Sequence, residues 1–176
     1  MSLRHQLAKL PDPVKRAIKD RAYPKLLPEG ETAPEWHLQS YDNSWHRQGR
    51  HWSLMVFYVE DGGVVDREQL LEVQKFKPDL DRLGVKIFAC SNAEAEPHEA
   101  FAKELGLDYP VLVDRGGSVA RQFKACMQVP GASLMIRTVY LVNPERKIRL
   151  GNRGTPSIEA IVRSVEALQQ ASKTGM

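Results

Sequence analysis

Cysteine is scarce in this chain: there are two in 176 residues, Cys90 and Cys126. Two are too few to staple a small secreted scaffold, so a reducing compartment is the expectation. Charge of one sign is not in excess either, with 25 basic residues against 22 acidic ones and a net charge of +3. The basic residues are scattered and not interleaved with aromatics along a stripe, which argues against a nucleic-acid partner. No apolar run approaches bilayer-spanning length, and no signal-peptide core stands near the start, so no membrane partner is expected. A soluble cytoplasmic protein is the plain expectation. Metal-ligand spacing is missing as well. His37, His46, His51 and His98 form no His-x-x-x-His pair, and Glu60, Asp61, Asp66 and Glu68 lack the regular spacing of a calcium loop. Gly62-Gly63 is followed by no Walker lysine. No cofactor and no metal are expected.

What is present is a core of adequate size. With 42% hydrophobic residues in 176, one α/β domain is the natural expectation. Residues 53–58 form a near-continuous apolar run of strand length, as a central strand covered on both faces requires. Residues 67–83 carry Leu70, Leu71, Val73, Phe76 and Leu80 at helical spacing, with Pro78 expected to kink or shorten the helix. A second buried strand follows at 85–89, then a helix at 97–105 with Phe101 and Leu105 inward, stopped by Gly106. A strand at 109–113, a helix at 118–124 and a hairpin of 138–142 with 147–150 around Asn143-Pro144 come next. Residues 156–170 close the chain as an amphipathic helix facing inward through Ile158, Ile161, Val162, Val165 and Leu168. Trp36, Trp45 and Trp52 read as core and strand-edge packing, not as a stacking platform.

The first 28 residues stand apart as a helical arm. Leu3, Leu7, Leu10, Val14, Ile18 and Tyr23 make an apolar stripe that Pro11 and Pro13 break into two short pieces. Such a stripe packs on its own domain or docks a second subunit or an acidic partner, and local burial is the commoner outcome. The expected division is therefore an arm over 1–28 and a domain over 29–172.

Five motifs in a fixed order then carry a resemblance. They are Gly30-Glu31-Thr32-Ala33-Pro34-Glu35-Trp36-His37-Leu38, the aromatic strand ending Phe57-Tyr58, Gly84-Val85-Lys86-Ile87-Phe88-Ala89-Cys90-Ser91, the pair His98/Phe101 followed by Tyr109-Pro110-Val111-Leu112-Val113-Asp114, and Arg137-Thr138-Val139-Tyr140-Leu141-Val142. In this order they resemble the peroxiredoxins of the alkyl hydroperoxide reductase and thiol-specific antioxidant family. The resemblance runs from about residue 28 to the last helix. It implies a thioredoxin-like fold, a central mixed β-sheet flanked by helices. It also implies antioxidant, thiol-peroxidase oxidoreductase chemistry, with a hydroperoxide-like ligand or a thioredoxin-like reductant as partner, and it allows a homodimer.

Against that pattern the catalytic loop departs. After Phe-Tyr the family has proline, a spacer, then Thr-x-x-Cys opening a helix. Here Val59 takes the proline place, Gly63 the threonine place, Val64 the next proline place and Asp66 the cysteine place. Only Arg137 matches the arginine that assists the thiolate. A helix N-terminus beside an arginine favours an anion, so aspartate conserves the charge of a thiolate. It does not conserve the chemistry, because a carboxylate has no route to a sulfenic acid. Asp66 also reads, more simply, as a helix N-cap paired with Arg137. Two functions follow. One is a non-peroxidase descendant with a binding or regulatory role. The other is an unusual thiol oxidoreductase using Cys90, resolved by Cys126. Cys90 ends the strand beside 53–58, and if Ile87 and Ala89 face one layer, Phe88 and Cys90 face the other. A buried, inert Cys90 is the alternative.

Overall fold

The structure, a computed structural model, describes residues 8–175, the side chains of 18–22 excepted. Helix α1 spans Asp12–Ala22, and Pro13 lies in its first turn, where a missing N–H removes no helical bond. Leu3 and Leu7 of the apolar stripe, and the Ile18 side chain, lie outside the described residues. A two-stranded hairpin follows, β1 (His37–Gln39) with β2 (Trp45–Arg47). Then come β3 (Trp52–Phe57), α2 (Val64–Arg82), β4 (Val85–Ser91), α3 (Ala95–Leu105), β5 (Val111–Val113) and a short α4 (Ser118–Gln122). A second hairpin, β6 (Cys126–Val129) with β7 (Ala132–Met135), leads to β8 (Thr138–Val142), β9 (Ile148–Arg153) and α5 (Ile158–Thr174).

The main sheet has the order β5-β4-β3-β8-β9. The pairs β3–β4 and β4–β5 are parallel, whereas β3–β8 and β8–β9 are antiparallel, so the sheet is mixed as expected. Its central strand is covered on both faces. Leu54, Val56 and Tyr58 pack with Leu70, Val73 and Leu80 of α2, Phe101 of α3 and Ile158, Ile161 and Val165 of α5. Met55 and Phe57 pack on the other face with Trp36, Phe88, Cys90, Leu112, Phe123 and Tyr140. The alternation read in the sequence is realised: Ile87 and Ala89 enter the first layer, Phe88 and Cys90 the second.

Several boundaries moved for physical reasons. Pro78 neither ends nor shortens α2, which runs on to Arg82 around it. The residue lies on the exposed side of the helix, where water can take up the carbonyl that its missing N–H leaves free. The expected strand at 109–113 contracts to Val111–Val113, and the helix at 118–124 ends at Gln122, because Lys124 takes a positive φ of 59°. Gly106 does stop α3, in the left-handed region at φ 63°. Of the tryptophans, Trp36 is buried and Trp45 is 59% exposed on the hairpin edge, its ring tilted by 42° against His37 at 4.5 Å. Residues 23–27 lie against the second layer and β9. Leu26 and Leu27 pack on the second layer, and the Leu27 amide donates to the Tyr140 hydroxyl at 3.1 Å.

That docking depends on a glycine in β9. A Cβ built on Gly151 would stand 2.9 Å from Cε1 and 3.1 Å from Cδ1 of the fully buried Tyr140 ring. Gly151→Ala is therefore expected to destabilise the protein by about 1–3 kcal/mol, the usual cost of overpacking. Urea unfolding checks this; an unchanged midpoint would mean the Tyr140 ring can move aside.

Candidate functional site

At its carboxyl end β3 gives way to the loop 58–63, which delivers the chain into α2. The loop can turn back tightly because Gly62 takes a φ of 85°, and Gly63 then serves as N-cap with extended geometry and no side-chain cap. Asp66 is therefore not the N-cap anticipated from sequence; it is the third residue of the helix. Its carboxylate reaches out of the first turn and is completely buried. Four donors meet it. Arg137 donates from Nε to Oδ1 at 2.9 Å and from Nη2 to Oδ2 at 3.1 Å, a two-pronged pairing. The Val59 amide donates to Oδ1 at 3.3 Å and the Glu60 amide to Oδ2 at 3.2 Å. The positive end of the helix dipole adds to these.

Arg137 is held from behind. It lies between β7 and β8, where the Gly154 amide donates to its carbonyl at 2.9 Å and the Ile136 amide donates to Ala125 at 2.8 Å. Its guanidinium side chain is 29% exposed, so the pair has one buried and one partly wet member. The loop is pinned a second time by Asp61. Tyr58 donates its phenol proton to Oδ1 of Asp61 at 2.6 Å, and Nδ1 of the buried His98 meets Oδ2 at 2.7 Å. Burial first, then the Asp61 charge, push the Tyr58 phenol well above its ordinary range, which keeps that proton in place. The Val59 and Glu60 amides are thus aimed by a loop anchored at both sides. Gln69, one turn beyond Asp66, is 3% exposed, and neither end of its amide has a hydrogen-bond partner.

The two cysteines sit elsewhere. Cys90 pairs in register with Phe57 across the sheet, but its side chain enters the layer opposite α2 and is fully buried. Burial, followed by the charge of Asp114, pushes its thiol well above the ordinary range. Asp114 is itself fixed there, accepting from the Val119 and Ala120 amides at 3.2 and 2.8 Å. Cys126 opens β6 in the same layer, and burial raises its thiol too, against the opposing pull of Arg121. Both cysteines are free thiols. The structure thus brings together Asp66 and Arg137, and separately Cys90 and Cys126, without joining the two pairs.

Sequence reasoning missed the Tyr58–Asp61–His98 cluster. The only signal was that His98 precedes the inward Phe101 by three residues and so shares its helix face. Among the described residues, no group of three or more His, Cys, Asp or Glu is placed to hold a metal, and no helix is long and apolar enough to cross a membrane.

Breaking the central pair has a definite expected cost. Asp66→Asn keeps the shape but leaves the Arg137 fork facing an amide, and should lose about 2–3 kcal/mol at neutral pH. With Arg137→Gln added, the double variant should lose clearly less than the sum of the singles. A double-mutant cycle by denaturant unfolding measures this coupling, and strict additivity would mean that the pair does not interact.

Comparison with known proteins agrees with this architecture. Residues 29–150 match the family model described as AhpC/TSA family. A peroxiredoxin of Treponema denticola is 28% identical over 132 residues, covering 69% of this chain and 62% of that protein. A 1-Cys peroxiredoxin of Dictyostelium discoideum is 22% identical over 129 residues, covering 68% of this chain and 54% of that one. The chain thus spans between about half and two-thirds of the length of these relatives. Among solved structures, the yeast mitochondrial 1-Cys peroxiredoxin, whose thiol is resolved via glutathione and thioredoxin systems, superposes with a TM-score of 0.76 at 21% identity, over 85% of this chain and 80% of that one. With a mixed five-stranded sheet flanked by helices and a family match over most of its length, this chain belongs to the AhpC/TSA family, the peroxiredoxins.

Proposed function

We propose that this chain is a peroxiredoxin-family protein with a degenerate peroxidatic site. Asp66 stands where the family places its reactive cysteine, and the protein has a binding or regulatory role in place of conventional peroxide turnover. The observation that carries this reading is the saturation of the Asp66 carboxylate. The Arg137 fork and the Val59 and Glu60 amides, the kind of donors that would stabilise a thiolate, are spent on a fixed anion. Asp66 has no sulfur to oxidise, so no sulfenic acid can form there. The Arg137 pairing remains as a structural anion site that closes the loop onto the sheet.

The alternative nucleophile, Cys90, is poorly equipped. A peroxidatic thiol needs a low pKa, exposure and a cationic neighbour. Cys90 is fully buried beside the Asp114 charge, and its thiol is pushed up, not down. Cys126 as its resolving partner has the same burden of burial. A hydroperoxide-like ligand or a thioredoxin-like reductant is accordingly a relic of ancestry in this reading, and residues 1–28 are an arm on a domain spanning 29–172. Two free thiols suit a reducing, cytoplasmic setting.

The test is turnover of hydrogen peroxide and of an organic hydroperoxide with a thioredoxin reductant. Rates far below those of an ordinary peroxiredoxin are expected. Robust turnover abolished by Cys90→Ser would overturn the degenerate-site reading in favour of Cys90. Robust turnover surviving that change would remove both accounts.

A further inference from the structure

The β1–β2 hairpin has one covered side and one bare side. In its register Leu38 stands opposite His46, while His37 stands opposite Arg47 and Gln39 opposite Trp45. The first pair turns inward: Leu38 packs on the second layer, and the His46 ring stands edge-on to Phe88 at 5.9 Å. Trp45 and Arg47, two residues apart, share the other side, and both are exposed. Tryptophan is highly buried on average, so one left bare on a short hairpin calls for a reason.

β2 is also an open strand edge. The Ser40 amide donates to the Ser44 carbonyl at 2.9 Å across the hairpin, and antiparallel pairing alternates from there. Leu38 and His46 turn their backbone groups toward each other, and those of Trp45 and Arg47 point away from β1. The far flank of β1 is tied to β5 by a bridge between Ser40 and Leu112, with the Tyr41 amide donating to the Val111 carbonyl at 3.2 Å. Among the described residues, no strand pairs with the outer flank of β2. Beside it is a groove of about 550 Å³, lined by Trp45, Arg47, Lys77, Asp81, Lys86 and Asp108 among others. Its two acids are already engaged, since Lys77 meets Asp81 at 2.7 Å and Asp108 at 3.6 Å. Arg47 and Lys86 have no acidic partner among the described residues.

We infer that β2 takes up an extended acidic peptide as an added antiparallel strand, with a carboxylate side chain opposite Arg47 and an aromatic one opposite Trp45. The unpaired edge supplies main-chain hydrogen bonds, and the side chains of alternate residues supply the choice of sequence. Charge complementarity decides for an acidic partner, because the unmatched groups along the groove are cations. A strand running against β2 meets Arg47 first and Trp45 two residues later, so the peptide reads acid-x-aromatic. Its middle residue lies opposite His46 and turns its side chain to the other face. The surface is independent of the Asp66 reading and shares no residue with it.

Fluorescence anisotropy of a fluorescein-labelled Thr-Val-Glu-Val-Phe-Thr peptide tests the proposal. Saturable binding is expected, weakened about tenfold or more when lysine replaces the peptide's glutamate, or when the protein carries Trp45→Ala or Arg47→Glu. Both residues are exposed, so the urea midpoint of either variant should stay where it is. The main-chain bonds are read by N-methylation of the peptide. A methyl group on the phenylalanine amide should abolish binding, whereas one on the valine before it should be tolerated, because that N–H points away from β2. No saturable binding, indifference to the charge reversals, or equal effects of the two methyl groups would each overturn the inference. So would a dimer of the protein alone that Trp45→Ala dissolves, since the edge would then belong to a second copy of the chain.

Discussion

A buried carboxylate must be answered charge for charge, and in this fold the answer to Asp66 is Arg137. Removing a carboxylate from water costs several kcal/mol unless donors replace the lost hydration. Here a guanidinium fork and two loop amides do so. The interaction ties three parts of the chain to one another: the loop after β3, the first turn of α2 and the entry to β8. Asp61 holds the same loop from its other side through Tyr58 and His98. The carboxyl end of the sheet is thus shaped by two acidic side chains and their partners, not by apolar packing.

The same electrostatics separate an anion site from a thiol site. Position 66 offers a helix N-terminus, an arginine and inward-facing amides, all of which favour negative charge. Position 90 offers apolar neighbours and the Asp114 carboxylate, which oppose it. The chain has its cysteines where ionisation is disfavoured and a carboxylate where a guanidinium and two amides converge. The family scaffold is kept around these two positions, and what it does is decided at the site and not by the fold.

Much of the fold was legible because β3 is apolar at every position from Leu54 to Tyr58 and α2 and α5 repeat their apolar residues at helical spacing. The layer assignment of Cys90 followed from strand alternation alone. The hairpins β1–β2 and β6–β7 were not legible, since strands of three or four residues with mixed polarity give no period. At the site, Asp66 and Arg137 were found through the family pattern, 71 positions apart in sequence. Sequence could not show that Gly63 caps the helix, because a backbone N-cap leaves no side-chain signature. Nor could it join Tyr58, Asp61 and His98, since no spacing rule spans such distances.

The central claim is that position 66 is built to hold an anion. Asp66→Cys tests it most directly, with the ultraviolet absorbance of the thiolate followed against pH alongside the rate of alkylation by iodoacetamide. The account predicts one thiol that ionises well below the ordinary cysteine range and alkylates rapidly at neutral pH, while Cys90 and Cys126 stay silent in the folded protein. A thiol at position 66 that titrates and reacts like free cysteine would contradict it.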